Sequence, residues 1–545
     1  MSSFKTELKT VLKVAKKEFL VKLFTSIVMR GILLIIPVLF SMTINYVTQG
    51  NIENALFFIV VSIVITLVYR AFECINQVAF YKLYNKIFSY YNELALTKTN
   101  DNSLFSLSRF SPGQYTNIVI TDVDVISSFF SNGVIRVVQV IEFLVIYVYF
   151  FAIDFYIFLS AVILSIVMLV LSFVSGKKVQ KLSEKRKLEL DNLTSSSYNF
   201  FGGIREIKSF NIFDKLFDMT FSDTNRYLDA NSKYNVKFNC NNSIFLFMFE
   251  LFRLLSIVYA IIFLIKPGLM EVGTLLIIYN YYQKIIDNFS TILTINVEYR
   301  NLVVSLQRFN KVIEFSKNKK KGLTLDSDSI KGSIQFSKIL YGFRTNPILD
   351  NSSFSIEANA ITVLTGKDEA AQNGIFDLLL KLNRQHEGKI LIDGIDINDI
   401  DDDSYFELVS SVRRQTVFFD VSIKNNLSMI NPNFEKIVDV CEKIGLDNEI
   451  RKLDKGYDTI ITDNTPISQA TKELLVIARM LLKESKILLF DDLINVLDSS
   501  SEKKLLKLLN ELKKDHTIVI ISHSKEILAT ADFILDVSNK KVKKV

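Results

Sequence analysis

Val363 to Leu382 reads VLTGKDEAAQNGIFDLLLKL, an apolar strand running into Gly366 and then an amphipathic helix. That outline suits phosphate, because a glycine turn lets backbone N–H groups wrap an anion at the positive end of the next helix. The pattern G-x-x-x-x-G-K-[ST], started at Gly366, calls for glycine at Ala371, lysine at Gln372 and serine or threonine at Asn373. The outline is kept and its chemistry is changed. Gln372 can donate a hydrogen bond but brings no charge, and Asn373 is no simple substitute for a hydroxyl on Mg²⁺. Glu369 adds negative charge to the loop, and Lys367 stands too early to replace the missing lysine.

Other residues with chemical capacity follow. KILLFDDLINVLD, Lys486 to Asp498, is an apolar strand ending in Asp491 and Asp492, and TIVIISHSKEIL places His523 after another strand. Gln415 lies in VRRQTVFFDVSIKNNL, Phe343 ends IQFSKILYGF, and Ser468 precedes the helical run KELLVIARMLL. Taken singly, these are weak signals. Paired acids after an apolar run are often a solvated turn, and a lone histidine after a strand is usually structural.

The elements that must position these residues begin after the basic stretch SKNKKKG, Ser316 to Gly322. There, short β-type runs alternate with helices, the pattern of an α/β nucleotide-binding fold. We assign 331–545 to that domain, 316–330 to a linker and 1–315 to a membrane domain. Of the 545 residues 49% are hydrophobic, high for a soluble protein. Six runs have the roughly 20-residue length that a hydrocarbon core requires. They are Leu23–Val47, Ala55–Phe80, Val134–Phe151, Phe155–Val174, Ile244–Ile265 and Val272–Leu293.

Short links, TQGNIEN, a turn near Asp154 and KPGLMEV, alternate with long ones over 81–133 and 175–243. The long links carry KLYNKIF and SGKKVQKLSEKRK, so the positive-inside rule places them and both termini in the cytosol. The opening SSFKTELKTVLKVAKKEFL is basic and amphipathic, suited to a helix on the membrane surface. A formal charge of +6 is too small for this length to indicate nucleic acid, so none is expected as a partner. Cys74, Cys240 and Cys441 have no metal spacing and read as packing residues. Charged residues in or near the spans include Arg30, Glu73, Glu142, Glu250, Arg253, Lys284 and Asp287. A charge at mid-membrane is costly, so such a group usually faces a partner or a wet cavity, the alternative being that most lie near the interface or in the cytosolic extensions and snorkel. Glu250 with Arg253, and Lys284 with Asp287, have the spacing to pair along one helix.

SPGQYTNIVITDVDVI, Ser111 to Ile126, and GIREIKSFNIFDKLF, Gly203 to Phe217, resemble the two intracellular loops of ABC exporters. Together with the ordered cytosolic motifs, the resemblance covers nearly the whole chain: a half-size ABC exporter, its six-helix transmembrane domain followed by a P-loop-type α/β nucleotide-binding domain. The resemblance implies ATP and Mg²⁺ as cofactors. It puts coupling helices near Leu104–Phe110 and Phe210–Asp214. It implies adenine stacking on Phe343, with Tyr341 the near alternative, and phosphate contacts from Gly366, Ala371, Gln372 and Asn373. Asn373, Gln415 and Asp491 fall at the Mg²⁺ positions, Asp492 at that of the general base, usually Glu, and His523 at the switch histidine. Ser468 begins ISQAT where LSGGQ is expected, so Gln469 and Ala470 replace two glycines that let backbone approach the opposing subunit's nucleotide.

Family sites lie between two subunits, and this chain departs from the pattern in both contributions. The expectation is therefore the impaired half of a heterodimer whose partner keeps an intact P-loop, with hydrolysis on that partner. A homodimer, and a pseudo-ATPase regulator or immunity component that does not transport, are the alternatives. Expected surroundings are membrane lipid and a bacterial cytoplasmic membrane. The cargo class is a peptide, lipid or drug-like amphiphile, with the tyrosine-rich IIYNYYQKIID a hint of polar cargo.

Overall fold

A computed structural model describes residues 2–100, 112–316, 322–325, 329–343, 346–382, 386–413, 417–462, 465, 467–491 and 499–545. The chain divides into two compact units, one comprising Met1–Thr97 and Gly113–Lys311, the other including Val312–Val545.

The first unit is helical. A short α1 (Ser2–Val14) precedes α2 (Lys16–Thr48), α3 (Ile52–Asn100), α4 (Val123–Ile153), α5 (Phe155–Gly202), α6 (Ile204–Ser209), α7 (Phe213–Tyr259) and α8 (Thr274–Ser316). Residues Pro112–Asn117 and a π-helical turn, Ile118–Asp122, lead into α4, and another π-helical turn, Ala260–Ile265, extends α7. Each apolar run of the sequence falls in one of these helices, the last of them starting at Thr274. Continuous helix is the natural state for such runs, since lipid offers the backbone no hydrogen bonds and every N–H must be satisfied within the segment. Among the described residues four helices are long and apolar enough to cross a bilayer: Lys16–Thr48, Ile52–Thr99, Gln114–Ile153 and Phe213–Ile265. Phe155–Leu171 is a shorter apolar helix.

Turns between paired helices are tight for local reasons. Gly50, at φ 77, takes the left-handed conformation that closes α2 onto α3. Asp154 alone joins α4 to α5, its carboxylate accepting from Tyr156 N at 2.8 Å and Ile157 N at 3.1 Å. Phe150, Ile157, Leu164, Phe249, Ile278 and Ile285 build the interior of the bundle. Val60, Leu67, Val148, Phe247 and Phe263 point outward and stay exposed, as faces toward lipid would. Cys441 is a packing residue, but Cys74 and Cys240 are exposed on their helices, which corrects that part of the expectation.

The interior polar groups are tied across helices. Glu142 of α4, 1% exposed at its side chain, accepts from Arg30 Nη1 at 3.1 Å and lies 3.4 Å from Lys284 Nζ. Arg253 pairs with Glu250, as its spacing allows, donates to Gln283 at 3.2 Å and lies over the Tyr279 ring at 4.0 Å. Lys284 thus reaches another helix, while Asp287 accepts from Gln283 at 3.2 Å. In IIYNYYQKIID, Tyr281 donates to the Leu34 carbonyl at 2.9 Å, and the Tyr282 hydroxyl meets those of Ser160 and Ser256. Those two tyrosines are occupied inside the protein and no longer argue for a polar cargo.

Leu104–Phe110 lies outside the described residues. The second short helix is α6, ending at Ser209, so it precedes the expected Phe210–Asp214. Asn211, at φ 52, turns the chain, and Phe213 opens α7.

The second unit is α/β. β1 (Ile334–Phe343), β2 (Asn346–Ile356), β4 (His386–Ile392) and β5 (Ile395–Asp396) form an antiparallel sheet in the order β2-β1-β4-β5. β3 (Ile361–Thr365), β6 (Val409–Val412), β7 (Ile487–Asp491), β8 (Thr517–Ile521), β9 (Phe533–Ser538) and β10 (Lys541–Lys544) form a second sheet, ordered β10-β9-β3-β8-β7-β6. All its pairs are parallel except β9 with β10. β3, β7 and β8 read as continuous apolar runs because both faces are covered. Helices α9 (Glu369–Leu379), α10 (Asp402–Leu408), α11 (Ile423–Ser428), α12 (Phe434–Ile444), α13 (Leu446–Arg451), α14 (Gln469–Leu482), α15 (Ser499–Leu512) and α16 (Lys525–Thr530) complete the unit.

Candidate functional site

The strand order sets β3, β8 and β7 side by side, so residues distant in sequence meet at the carboxyl ends, where open α/β sheets place their ligands. Thr365 closes β3 and Asp491 closes β7. His523 follows β8 with its Nδ1 3.2 Å from Thr365 Oγ1. Gly366, Gln372, Asp491 and His523 thus stand at or just beyond the carboxyl ends of three neighbouring strands.

The stretch after Thr365 is not a wrapped loop. Gly366 has φ 123, and a Cβ there would run into the Val537 carbonyl, so only glycine fits. Asp368 N donates to that carbonyl at 3.2 Å. Helix α9 then starts at Glu369, so the residues expected to wrap phosphate already lie in its first turns. Asp368 is its N-cap. One carboxylate oxygen accepts from Ala371 N at 3.1 Å, and the other accepts from Lys540 N, in the β9–β10 turn, at 3.2 Å. Gln372 is fully buried, and its Nε2 donates to the Gly366 carbonyl at 3.1 Å while its Oε1 has no partner among the described residues. Ala371 is buried and Asn373 exposed on the helix.

Asp491 is buried, with Arg413 Nε 3.9 Å from one of its oxygens. The same guanidinium donates to Asp377 of α9 at 2.8 Å. Asp492 and Gln415 lie outside the described residues. Phe343 ends β1, but its side chain also lies outside them. Tyr341, the other candidate for adenine, is buried, and its ring packs where a side chain at Gly374 would stand.

Ser468 caps α14, its Oγ accepting from Thr471 N at 3.0 Å. Gln469 starts that helix and donates to Glu473 Oε1 at 3.2 Å. Burial raises the Glu473 carboxyl above the ordinary range, and the Gln469 hydrogen bond offsets this in part. At the other end Arg479 donates to the Val417 carbonyl at 2.9 Å and to Asn426, and sits over the Phe418 ring at 4.8 Å. Burial lowers its pKa. Helix α14 is thus tied to the segment after Gln415.

Mg²⁺-nucleotide needs a cation and converging free donors for its phosphates, and oxygen ligands for its metal. Among the described residues of the loop, Ala371 N is taken by Asp368 and the Gln372 amide by Gly366, and Arg413 stands beside the metal-position carboxylate. No group of three or more metal-ligating side chains is found among the described residues. The loop in this conformation does not fit a polyphosphate. Asp368 had a local signal, an Asp just before a helix, which is an N-cap pattern. Arg413 and Arg479 had none, since their partners are remote in sequence.

Residues 19–287 match the ABC transporter transmembrane region and residues 349–495 the ABC transporter family. A Mycoplasma pneumoniae protein named as an ABC transporter ATP-binding protein is 30% identical over 44% of this chain and 38% of its own length. A Mycoplasma genitalium counterpart is matched over 41% of its length, so the chain aligns with well under half of these two relatives. The ATP-dependent lipid A-core flippase of Haemophilus influenzae KW20 is 23% identical over 79% of this chain and 75% of that protein. In fold, a bacterial Atm1-family ABC exporter solved with ATP bound superposes with a TM-score of 0.83, covering 97% of this chain and 95% of that one at 18% identity.

Proposed function

Because the chain belongs to the ABC transporters, as a half-size exporter with its transmembrane region fused ahead of its ATP-binding domain, we propose that it is the catalytically impaired half of a heterodimeric exporter. ABC exporters work as dimers of half-transporters and the family's domain uses ATP and Mg²⁺; here the partner's intact P-loop carries the hydrolysis. The carrying observation is the replacement of lysine by a buried, inward-turned Gln372 in a loop whose helix starts at Glu369. Nucleotide contact at this chain's own site is correspondingly weak.

Its other contribution is better kept. Capped by Ser468, α14 still presents a helix N-terminus, the feature that would face nucleotide on the partner's P-loop. Six membrane-spanning helices, α2, α3, α4, α5, α7 and α8, belong to this reading, with both termini cytosolic. The cargo is an amphiphile, and relatives named as lipid A-core flippases favour a lipid-like one. The impaired loop also suits a pseudo-ATPase that does not transport.

The test is ATP turnover and cargo export in proteoliposomes, for this chain alone and co-reconstituted with a half-transporter that keeps an intact P-loop. Turnover and export only with the partner support the reading. Robust turnover by this chain alone, abolished by Asp491→Ala, overturns it. Partner binding without export selects the pseudo-ATPase.

A further inference from the structure

We propose that this chain's nucleotide site is closed from within: Asp368 occupies the place of a phosphate and Arg413 that of the magnesium ion, so the site takes no Mg²⁺-nucleotide. This rests on the ABC reading and sharpens weak binding into a built exclusion.

A phosphate held at a helix start is bound by the N–H groups that have no partner within the helix. In α9 one of those donors, Ala371 N, already ends on the Asp368 carboxylate at 3.1 Å. A carboxylate there has the sign that the helix dipole favours and is tethered to the chain, so its binding costs no translational freedom. Its second oxygen holds Lys540 N at 3.2 Å, fastening α9 to the β9–β10 turn. Two backbone donors from separate elements thus converge on one internal anion.

Gln372 completes the closure by donating to the Gly366 carbonyl at 3.1 Å. A family lysine at this position would extend toward phosphate, whereas this side chain is wholly buried. An arriving polyphosphate must break these three hydrogen bonds and approach the Asp368 charge, with Glu369 exposed beside it.

The second observation is independent of the loop. The Asp491 carboxylate, at the metal position, has the Arg413 guanidinium 3.9 Å away. Arg413 is anchored from the other side by Asp377 at 2.8 Å. A divalent cation beside Asp491 would meet like charge. Anion and cation of the missing ligand each have a stand-in from the chain itself.

The experiment uses the full chain in lipid nanodiscs, with 8-azido-ATP and Mg²⁺ as the photolabel and peptide mapping of residues 334–381, which hold both the adenine and the phosphate positions. Wild type is expected to show no saturable label there at cellular ATP concentrations. Asp368→Ser keeps an N-cap oxygen but removes the charge. Combined with Gln372→Lys and Asn373→Ser it is expected to raise labelling at least about tenfold, a change worth about one strong contact. Asp368→Asn, which also caps, is expected to give a smaller gain in the same direction and covers a folding failure of the triple variant. Saturable wild-type labelling on this peptide overturns the proposal, as does a folded triple variant with no gain. Partner-dependent ATP turnover is measured in parallel. Its survival alongside wild-type labelling sinks the closed site alone, and its absence with no labelling sinks only the heterodimer reading.

Discussion

Gln372 spans the turn back to Gly366, its Nε2 donating to the glycine carbonyl at 3.1 Å while its buried Oε1 has no partner among the described residues. One gained bond and one unmet acceptor nearly cancel. Gln372→Leu is therefore expected to change stability by no more than about 1 kcal/mol. Gln372→Lys made alone buries an unpaired ammonium and is expected to cost about 3 kcal/mol. Thermal or denaturant melting of the purified chain compares the two, and a lysine variant as stable as the leucine one contradicts this account.

Glu142 holds the Arg30 and Lys284 cations together across α2, α4 and α8. Glu142→Gln leaves two like charges with no carboxylate between them. The expected loss is about 3 kcal/mol, the lower end for breaking a buried pair, since both cations are partly exposed. Adding Lys284→Met should recover a good part of it. Thermal inactivation of the single and double variants gives the coupling, and strict additivity would show that the network carries no interaction energy.

Glu473 supplies a pH dependence. Its folded carboxyl lies above the ordinary value of 4.5, raised by burial. A raised acid leaves stability fully present below the unfolded pKa and lost as pH rises through the folded one. Glu473→Gln is expected to stabilise α14 at pH 7, with the gain vanishing below pH 4.5. Hydrogen exchange over 469–482 at both pH values reads this. An equal effect at both would assign the change to packing.

Restoring the signature glycines tests the other half-site. If the chain works in the proposed heterodimer, Gln469→Gly with Ala470→Gly is expected to raise its ATP turnover severalfold, because backbone then approaches the nucleotide on the partner's P-loop closely. The helix cost is up to about 1 kcal/mol per glycine, less at a first turn than mid-helix. Unchanged or lower turnover in a folded heterodimer removes the proposed role of ISQAT.

Phe213 begins α7, stacks on Phe217 at 5.8 Å and meets Phe200 edge-on at 5.7 Å. Being 45% exposed, it contributes little to its own unit, and Phe213→Ala is expected to cost about 1 kcal/mol or less. Its expected effect is on coupling: export falls while assembly and partner-driven ATP turnover persist. Full export in this variant excludes Phe213 from coupling.

The sequence by itself determined where the long apolar helices lie, that an α/β unit follows them, and that the phosphate loop lacks its lysine. Each is legible because it depends on local composition, periodicity or a fixed spacing. Asp368 as a helix cap was also within reach, since an Asp before a helical run is a local signal. Only the tertiary structure decided what the changed residues do instead. Asp368 gains Lys540 N because β9 and β10 return beside β3. Arg413 reaches Asp491 because β6 pairs with β7 and α9 holds Asp377 nearby. Lys284 finds Glu142 rather than serving only its own helix face for the same reason. Hydrogen bonds and ion pairs act over a few ångströms, so partners separated by tens or hundreds of residues are set by chain topology, which no spacing in the sequence records.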